Sequence, residues 1–382
     1  EMNKILIAPD SFKHSLTSKE VAVSIKKGIL KVCPQMDIKI LPMADGGEGT
    51  VQSLVDATKG EIRKVRVHDP LMREIDSYYG VLGDGKTAVI EMAAASGLEL
   101  LKEKEHDPAI ATTYGTGELI KAALDDGLEK IIIGIGGSAT NDGGAGMAEA
   151  LGIEFTDKEG KQVKKGGKYL INIHNIEMSG LHSGAKEADI KVACDVDNPL
   201  YGEKGAAKTY AEQKGANAKM IETLDKNLEH FASIINKELG KDISDIPGSG
   251  AAGGLGGGLV AFLSASLTPG MDLIKQITGL EEAVRWADMV ITGEGKTDSQ
   301  TQYGKTPYGV AQTASKMNKP VVSFAGSLEK GHEVLYNKGF DLILPVTEKP
   351  VSLQTSLEQA GTLLENAAER LMMMLLLSKK IC

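Results

Sequence analysis

Aromatic side chains are scarce: Phe, Trp and Tyr make up 4% of the 382 residues, with a single tryptophan. That leaves little material for the stacking platforms that hold single-stranded nucleic acid. Positive charge is also short. Lys and Arg number 43 against 52 Asp and Glu, a net charge of −9, which argues against nucleic acid or any general polyanion as partner. A small anionic substrate is still compatible, because a few lysines and helix N-termini suffice to hold one. Cys33, Cys194 and Cys382 are odd in number and far apart. They form neither a disulfide framework nor a zinc pattern, so a reducing, cytoplasmic location is expected. Long apolar runs are missing too. The longest, residues 371–377 (LMMMLLL), falls far short of the ~18 residues of a membrane span. Its flanks continue a helical pattern, so a buried C-terminal helix is expected and no membrane. No early segment has the charged-then-apolar form of a signal peptide. The seven histidines are scattered and read as surface or core side chains rather than metal ligands.

Glycine is what the chain has in excess: 45 of 382 residues, about 12% against about 7% in an average domain. Otherwise the composition is that of an ordinary globular protein, 42% hydrophobic and 25% charged, and the length suggests two domains. Residues 4–8 (KILIA), 38–41 and 61–67 read as strands. Thr17-Ser18-Lys19-Glu20 has the form of a capping box. Val21, Ile25, Ile29 and Val32 follow at helical spacing until Pro34. Residues 48–58 form a second helix, ended by Gly60. This βαβαβ order is half of a doubly wound parallel sheet. The same grammar returns at the far end, with strands at 288–292, 320–324 and 341–344. There the last helix carries Leu353, Leu357, Ala360, Leu364, Ala368 and Leu371 on one face. The two ends are therefore expected to form one discontinuous Rossmann-like α/β domain, residues 1–74 and 285–382. Residues 75–284 are expected as an inserted second α/β domain. The insert opens with a hairpin over 77–92 that turns at Asp84-Gly85. A helix over 117–124, strands over 130–135 and 190–194, a helical stretch over 206–230 and a glycine-rich run at 248–258 complete it.

Two motif matches fail on context. Gly80 to Thr87 satisfies the P-loop formula letter for letter. A β-rich run follows where that formula needs a helix N-terminus, so a hairpin turn is expected. Gly134-Ile135-Gly136-Gly137-Ser138-Ala139 fits a loose dinucleotide fingerprint after an apolar strand. The loop then continues through Thr140, Asn141 and Asp142, more polar than a dinucleotide turn requires. It supports only a secondary reading, a nicotinamide-dependent oxidoreductase of a small hydroxy acid.

Several polar, glycine-bearing loops each follow a strand: residues 8–13, 42–50, 136–144, 195–199 and 293–298. Ligands of open parallel sheets bind beyond the carboxyl ends of the strands, so five such loops in two domains imply a site in the interdomain cleft. Glycines let backbone N–H groups approach an anion. Carboxylates hold Mg²⁺ or accept a hydroxyl proton. Lys13 and Lys305 neutralise phosphate charge. Glycines, acids and a few lysines favour phosphoryl transfer over redox chemistry.

Together, APDSFKHSL at 8–16, PMADGGEGT at 42–50, GIGGSATNDGGAGM at 134–147, ACDVDNPLYGEKGAA at 193–207, PGSGAAGGLGGG at 247–258 and TGEGKTDSQTQYGK at 292–305 resemble the bacterial glycerate kinase family of the glyoxylate and galactarate pathways. The resemblance spans essentially the whole chain. One departure is His14, where glycine is expected. The resemblance implies Mg²⁺-dependent transfer of the γ-phosphoryl group of ATP to D-glycerate. The product implied is 2-phosphoglycerate, with 3-phosphoglycerate as the alternative. A hinge between the domains, closing on glycerate and nucleotide, is also expected; whether the chain is a monomer or a homo-oligomer is not implied.

Residue roles within that reading come from side-chain chemistry. Asp195 orients or deprotonates the glycerate hydroxyl, or else is a turn acid beside Asn198-Pro199. Asp10 and Asp45 share a metal or a substrate hydroxyl, or else cap helices. Lys13 pairs with the transferring phosphoryl group, or is a solvated lysine. Ser138, Thr140 and Asn141 offer donors at a helix start to a carboxylate or phosphate. Glu294 and Asp298 are candidates for Mg²⁺, with turn structure as the alternative. Gly248, Ser249, Gly250, Gly253 and Gly254 wrap the nucleotide phosphates, or pack a helix closely. Cys194 is a small packed side chain.

Overall fold

A computed structural model of the chain describes residues 3–44, 46–47 and 49–381, with side chains up to residue 377. The protein is α/β and divides into two compact units. One comprises Glu1–Asp45, Gln52–Lys59 and Met271–Cys382, the other Gly46–Val51 and Gly60–Gly270.

In the first unit, β1 (Lys4–Ile7), β2 (Asp37–Ile40), β11 (Met289–Thr297), β12 (Val321–Leu328) and β13 (Leu342–Pro345) form a parallel sheet in the order β13-β12-β11-β1-β2. Numbered within this sheet alone, the order is 2-1-3-4-5, the flavodoxin-like doubly wound arrangement. Ile5, Leu6 and Ile7 are fully buried, as a parallel strand covered on both faces must be. The helix Ser18–Val32 begins with the expected capping box: the Thr17 hydroxyl accepts from the Glu20 amide, and the Glu20 carboxylate accepts from the Thr17 amide. Its Val21, Ile25 and Ile29 join Leu364, Ala368 and Leu371 of the last helix, Ala360–Ile381, in one core. The run at 371–377 is helical but only partly buried, which corrects the sequence expectation. Leu371 and Met372 face the core, whereas Met373, Met374, Leu376 and Leu377 are exposed. A continuous apolar run surrounds a helix, and packing from one side covers one stripe of it. Among the described residues, no helix is long and apolar enough to cross a membrane.

The second unit holds a mixed sheet of β3 (Glu61–His68), β4 (Glu74–Val81), β5 (Thr87–Glu91), β6 (Lys130–Gly134), β9 (Asp189–Ala193) and β10 (Ser266–Thr268), in the order β10-β9-β6-β5-β4-β3. A small antiparallel pair, β7 (Glu154–Thr156) and β8 (Asn175–Glu177), stands apart from it. β3 departs from the sequence expectation. It pairs antiparallel with β4, Glu61 opposite Val81 and His68 opposite Glu74, and so leaves the parallel sheet of the first unit. Glu61, Arg63, Lys64 and Arg66 explain this: a strand so charged suits an edge, not a doubly covered centre. The P-loop-like stretch is the expected hairpin, with Gly80 opposite Val89 and Val81 opposite Ala88. Its turn is closed by Asp84, whose side chain accepts from the amides of Lys86 and Thr87 and from the Thr87 hydroxyl. The core runs from Ile90, Ile131, Ile133 and Val192 on the strands to Phe155, Phe231 and Phe262. The three rings stack edge-on or tilted at centroid distances of 5.7–6.1 Å.

The loop after β1 closes on itself at residues 12 and 16, where the Phe12 amide donates to the Leu16 carbonyl and the Leu16 amide to the Phe12 carbonyl. His14 at its tip has φ 62°, the left-handed region where a Cβ is strained. The position at which the motif calls for glycine is thus one where the backbone does too. Replacing His14→Gly is expected to raise stability by up to about 1 kcal/mol. Urea unfolding midpoints of the two proteins measure it, and a fall in midpoint would contradict the strain argument.

Candidate functional site

In a doubly wound sheet the ligand crevice opens where the strand order reverses. In the first unit that point lies between β1 and β11. The Asp10 amide donates to the Gly293 carbonyl at 2.9 Å, and the Thr292 hydroxyl donates to the Ala8 carbonyl at 2.8 Å, so the loop after β1 is tied to β11, which stays paired with β12 through Thr297 where the sequence suggested a loop from residue 293. Asp10 is half-buried at this point, its carboxylate accepting from the Ser11 amide at 2.7 Å. Lys13 is exposed on the neighbouring tip. Asp45, the other carboxylate expected here, lies outside the described residues.

Glu294 is 6% exposed. Its Oε1 accepts from the hydroxyls of Thr301 at 2.6 Å and Thr297 at 3.1 Å. Burial pushes its carboxyl above the usual range, against the pull of Thr301, Lys305 and Thr297. Lys305 bridges the two proposed metal acids, with Nζ 3.4 Å from Glu294 Oε2 and 3.8 Å from Asp298 Oδ1. Asp298 also caps a short turn of helix by accepting from the Gln300 amide. Lys305 itself is the N-cap residue of the helix Thr306–Lys316. The buried Thr306 Oγ1 at that helix start has no protein partner.

In the second unit, the loop after β6 is built around Asp142. This carboxylate is fully buried and accepts from the amides of Thr113 (2.8 Å), Gly144 (3.1 Å) and Gly146 (3.2 Å). The hydroxyls of Thr112 and Thr113 add to these at 3.2 and 3.0 Å. Desolvation raises its affinity for a proton, and the donor set opposes that. The helix that follows, Ala145–Ala150, starts after the polar residues and runs for six residues. Its dipole is therefore too short and too far along to be the anion receptor that the sequence suggested. What the loop offers instead is side chains. Thr140 Oγ1 and both amide atoms of Asn141 are buried without a partner among the described residues, and leaving such groups unmatched costs about 1–3 kcal/mol each. Ser138 is 8% exposed and takes a hydrogen bond from Lys214 Nζ at 2.6 Å.

The glycine-rich run lies directly against this loop. A methyl group on Gly253 would stand 1.9 Å from the Thr140 carbonyl oxygen, and one on Gly258 would stand 2.4 Å from that of Gly143. The backbone turns left-handed at residues 252–254, interrupting the helix Ala251–Leu263, where the Gly143 amide donates to the Gly253 carbonyl. The amides of Ser249, Gly250, Ala251 and Gly254 already donate to the carbonyls of Ile246, Asn198, Gly248 and Gly250. At this end of the run a ligand-ready group is the Ser249 hydroxyl, buried and without a partner among the described residues. Asp195, at the end of β9, is exposed and accepts from the Gly270 amide at 2.9 Å. Cys194 beside it packs against the core, donates to the Val196 carbonyl and has its thiol pushed up by burial.

A family model for the glycerate kinase family matches residues 5–376. The chain belongs to that family. The glycerate kinase of Halalkalibacterium halodurans is 51% identical over 370 residues, 97% of each chain. The glycerate 2-kinase of Escherichia coli K12 is 49% identical over 343 residues, 90% of each. A crystal structure from Salmonella typhimurium LT2, provisionally assigned as a glycerate kinase 2, matches over the full length of both chains with a TM-score of 0.92 and 44% identity.

Around the loop after β6 of this glycerate kinase fold, two buried charges escaped the sequence reading. Asp142 stood inside a recognised motif with no role assigned. Lys214 stood in none. It is 2% exposed, with Nζ donating to Ser138 Oγ and, at 2.8 Å, to the Thr140 carbonyl. Burial pulls its pKa from the ordinary 10.5 down to about 7, against the attraction of Asp142.

Two outcomes follow from these charges. Asp142→Asn places an amide among donors and is expected to lower unfolding free energy by about 2–4 kcal/mol. Urea denaturation measures it, and a loss under about 1 kcal/mol would contradict the anchoring role. Lys214 holds its proton less tightly folded than unfolded, so the unfolded chain binds more protons between pH 7 and 10.5. Its contribution to stability therefore rises with pH across that window, by at most about 1.4 kcal/mol per unit. Comparing unfolding at pH 7 and 9 in the parent and in Lys214→Met should show this slope only in the parent.

Proposed function

We propose that the chain transfers the γ-phosphoryl group of ATP to D-glycerate and forms 2-phosphoglycerate. One observation carries the reading: similarity near 50% identity, over nearly the whole chain, to proteins named glycerate kinase, one of them a glycerate 2-kinase. The loops supply suitable chemistry. Asp195 orients the glycerate hydroxyl and takes its proton, while Asp10, with Asp45, holds the acceptor. Ser138, Thr140, Asn141 and Ser249 donate to carboxylate or phosphate oxygens. Lys13 and Lys305 balance charge on the phosphoryl group in flight. The nicotinamide alternative loses its main support, because the six-residue helix after the fingerprint is a poor seat for a pyrophosphate.

Mg²⁺ normally takes one or two carboxylates and completes its shell with water and phosphate. Among the described residues, no group of three or more His, Cys, Asp or Glu is placed to hold a metal. Glu294 and Asp298 fit the smaller requirement, since a single lysine cation already bridges them. Bound there, Mg²⁺ would neutralise phosphate charge, and Lys305 would be free to turn to the nucleotide. That the second unit, Gly46–Val51 with Gly60–Gly270 rather than the 75–284 the sequence suggested, is an insertion within a host domain is part of the same proposal.

The test is ³¹P NMR of the product from ATP, Mg²⁺ and D-glycerate. An ester phosphorus coupled to one proton means attachment at C2, and coupling to two means C3. Absence of any ester with ATP intact would overturn the reading. Asp10→Asn and Asp195→Asn are expected to lower kcat by about 10²-fold or more. A double variant that turns over normally would dismiss these two residues while leaving the activity in place.

A further inference from the structure

Lys214 has the features of a device rather than a strut. Its segment packs in an apolar cluster of Ala109, Ala207, Ala211, Ala216 and Leu224. Across the neighbouring Gly215 lie the carbonyl and Cβ of His106. The charged group acting on the amine is the Asp142 carboxylate, which is already held by its own donors. An apolar side chain would fill such a place at lower cost, since burying an amine is unfavourable unless it has work to do there. The hydrogen bonds show what that work is. An ammonium has only donors to give. By donating to Ser138 Oγ it occupies a lone pair and leaves the hydroxyl hydrogen to point elsewhere. By donating to the Thr140 carbonyl it fixes the same turn two residues on. With both bonds made, the ammonium has a third N–H and an incompletely balanced charge. A neutral amine would spend both of its N–H groups on the same two bonds and keep only a lone pair, which cannot donate to an anion.

We propose that Lys214 is a positioning residue for anion recognition: its buried amine turns the Ser138 hydroxyl into an obligatory donor and holds the turn 138–141 as a receptor for a carboxylate or phosphoryl oxygen. The inference rests on the proposed kinase reading for the identity of that anion. The shared chemistry is a small oxyanion at Ser138, supplied by glycerate or by the nucleotide. Its arrival balances the ammonium, so binding is coupled to proton uptake by Lys214. As the pH rises through about 7 the free amine loses its proton, so the complex takes up a growing fraction of one, and affinity falls as pH rises.

The experiment is calorimetric titration of the full chain with D-glycerate and, separately, with inorganic phosphate, at pH 7.5–8 in buffers of different ionisation enthalpy. Steady-state kinetics of the parent, Lys214→Met and Ser138→Ala accompany it. The parent should take up a fraction of a proton per anion bound, and Lys214→Met should not. In both variants KM should rise about tenfold or more for one co-substrate, by a larger factor than kcat falls. A rise for glycerate assigns the carboxylate to the turn, and a rise for ATP assigns a phosphoryl group. The double variant should be no worse than the weaker single one, because both remove the same contact. Should Lys214→Met fail to fold, proton uptake by the parent and the KM of Ser138→Ala decide. Anion binding without proton uptake, or an unchanged KM in a folded variant, overturns the proposal. If the parent makes no ester and ignores glycerate but binds phosphate with Lys214-dependent proton uptake, the kinase reading fails and this inference stands. If neither anion binds, both fail.

Discussion

At Gly253 and Gly258 there is no room for a side chain, because the backbone of residues 140–143 occupies the space. This backbone-on-backbone contact sets the course of the loop after β6. A Cβ at either glycine would force the loop outward. Asp142 would then lose its donors, which sit at 2.8–3.2 Å and come from two separate stretches of chain. The glycine run is thus a packing surface, and the rigidity it confers suits binding groups that must be held to within a fraction of an ångström.

Each unit places a buried carboxylate toward the carboxyl end of a parallel strand, Glu294 within β11 and Asp142 in the loop after β6, and a lysine within reach of it. In the first unit the carboxylate is Glu294, steadied by two threonine hydroxyls and touched by Lys305. In the second it is Asp142, with Thr112 and Thr113 in the equivalent role and Lys214 acting on it through space. The difference is exposure. Lys305 is about a third exposed and keeps access to solvent, whereas Lys214 is sealed in. A sealed amine responds to charge arriving nearby through its proton, and a wet lysine responds by moving. An anion arriving at either place would thus be answered by different physical means.

Much of this was legible in the sequence because the signals were local. The Thr17–Glu20 box, the Asp84-Gly85 turn and the helical spacing of Val21, Ile25 and Ile29 all act within one turn of chain. His14 was visible as the wrong residue for its motif, and its left-handed backbone gives the reason. What was not legible depended on distant partners. β3 has the propensity of any strand, and only its charged residues hinted that it belonged at an antiparallel edge. The run at 371–377 looked buried because hydropathy ignores how many neighbours a helix has. Lys214 follows Glu212 and Gln213 and precedes Gly215, a stretch that reads as solvated surface. Its burial arises in part from chain 74 and 76 residues away, at Thr140 and Ser138, which no spacing rule can see.

The short helix after Asp142 carries the last step. A helix long enough to develop a macrodipole presents a fixed partial charge that is insensitive to pH. Six residues do not supply it. If this loop is to attract an oxyanion it has to draw on side chains, and its buried donors, beside the Asp142 carboxylate, are two hydroxyls, an amide and an amine. Of these only the amine carries charge, and it carries it conditionally. A carboxylate or phosphate at Ser138 would strengthen that charge by its own presence, while an uncharged polyol would not. Discrimination in favour of an acid over the corresponding neutral alcohol is then built into the protonation equilibrium of a side chain that the acid need never touch.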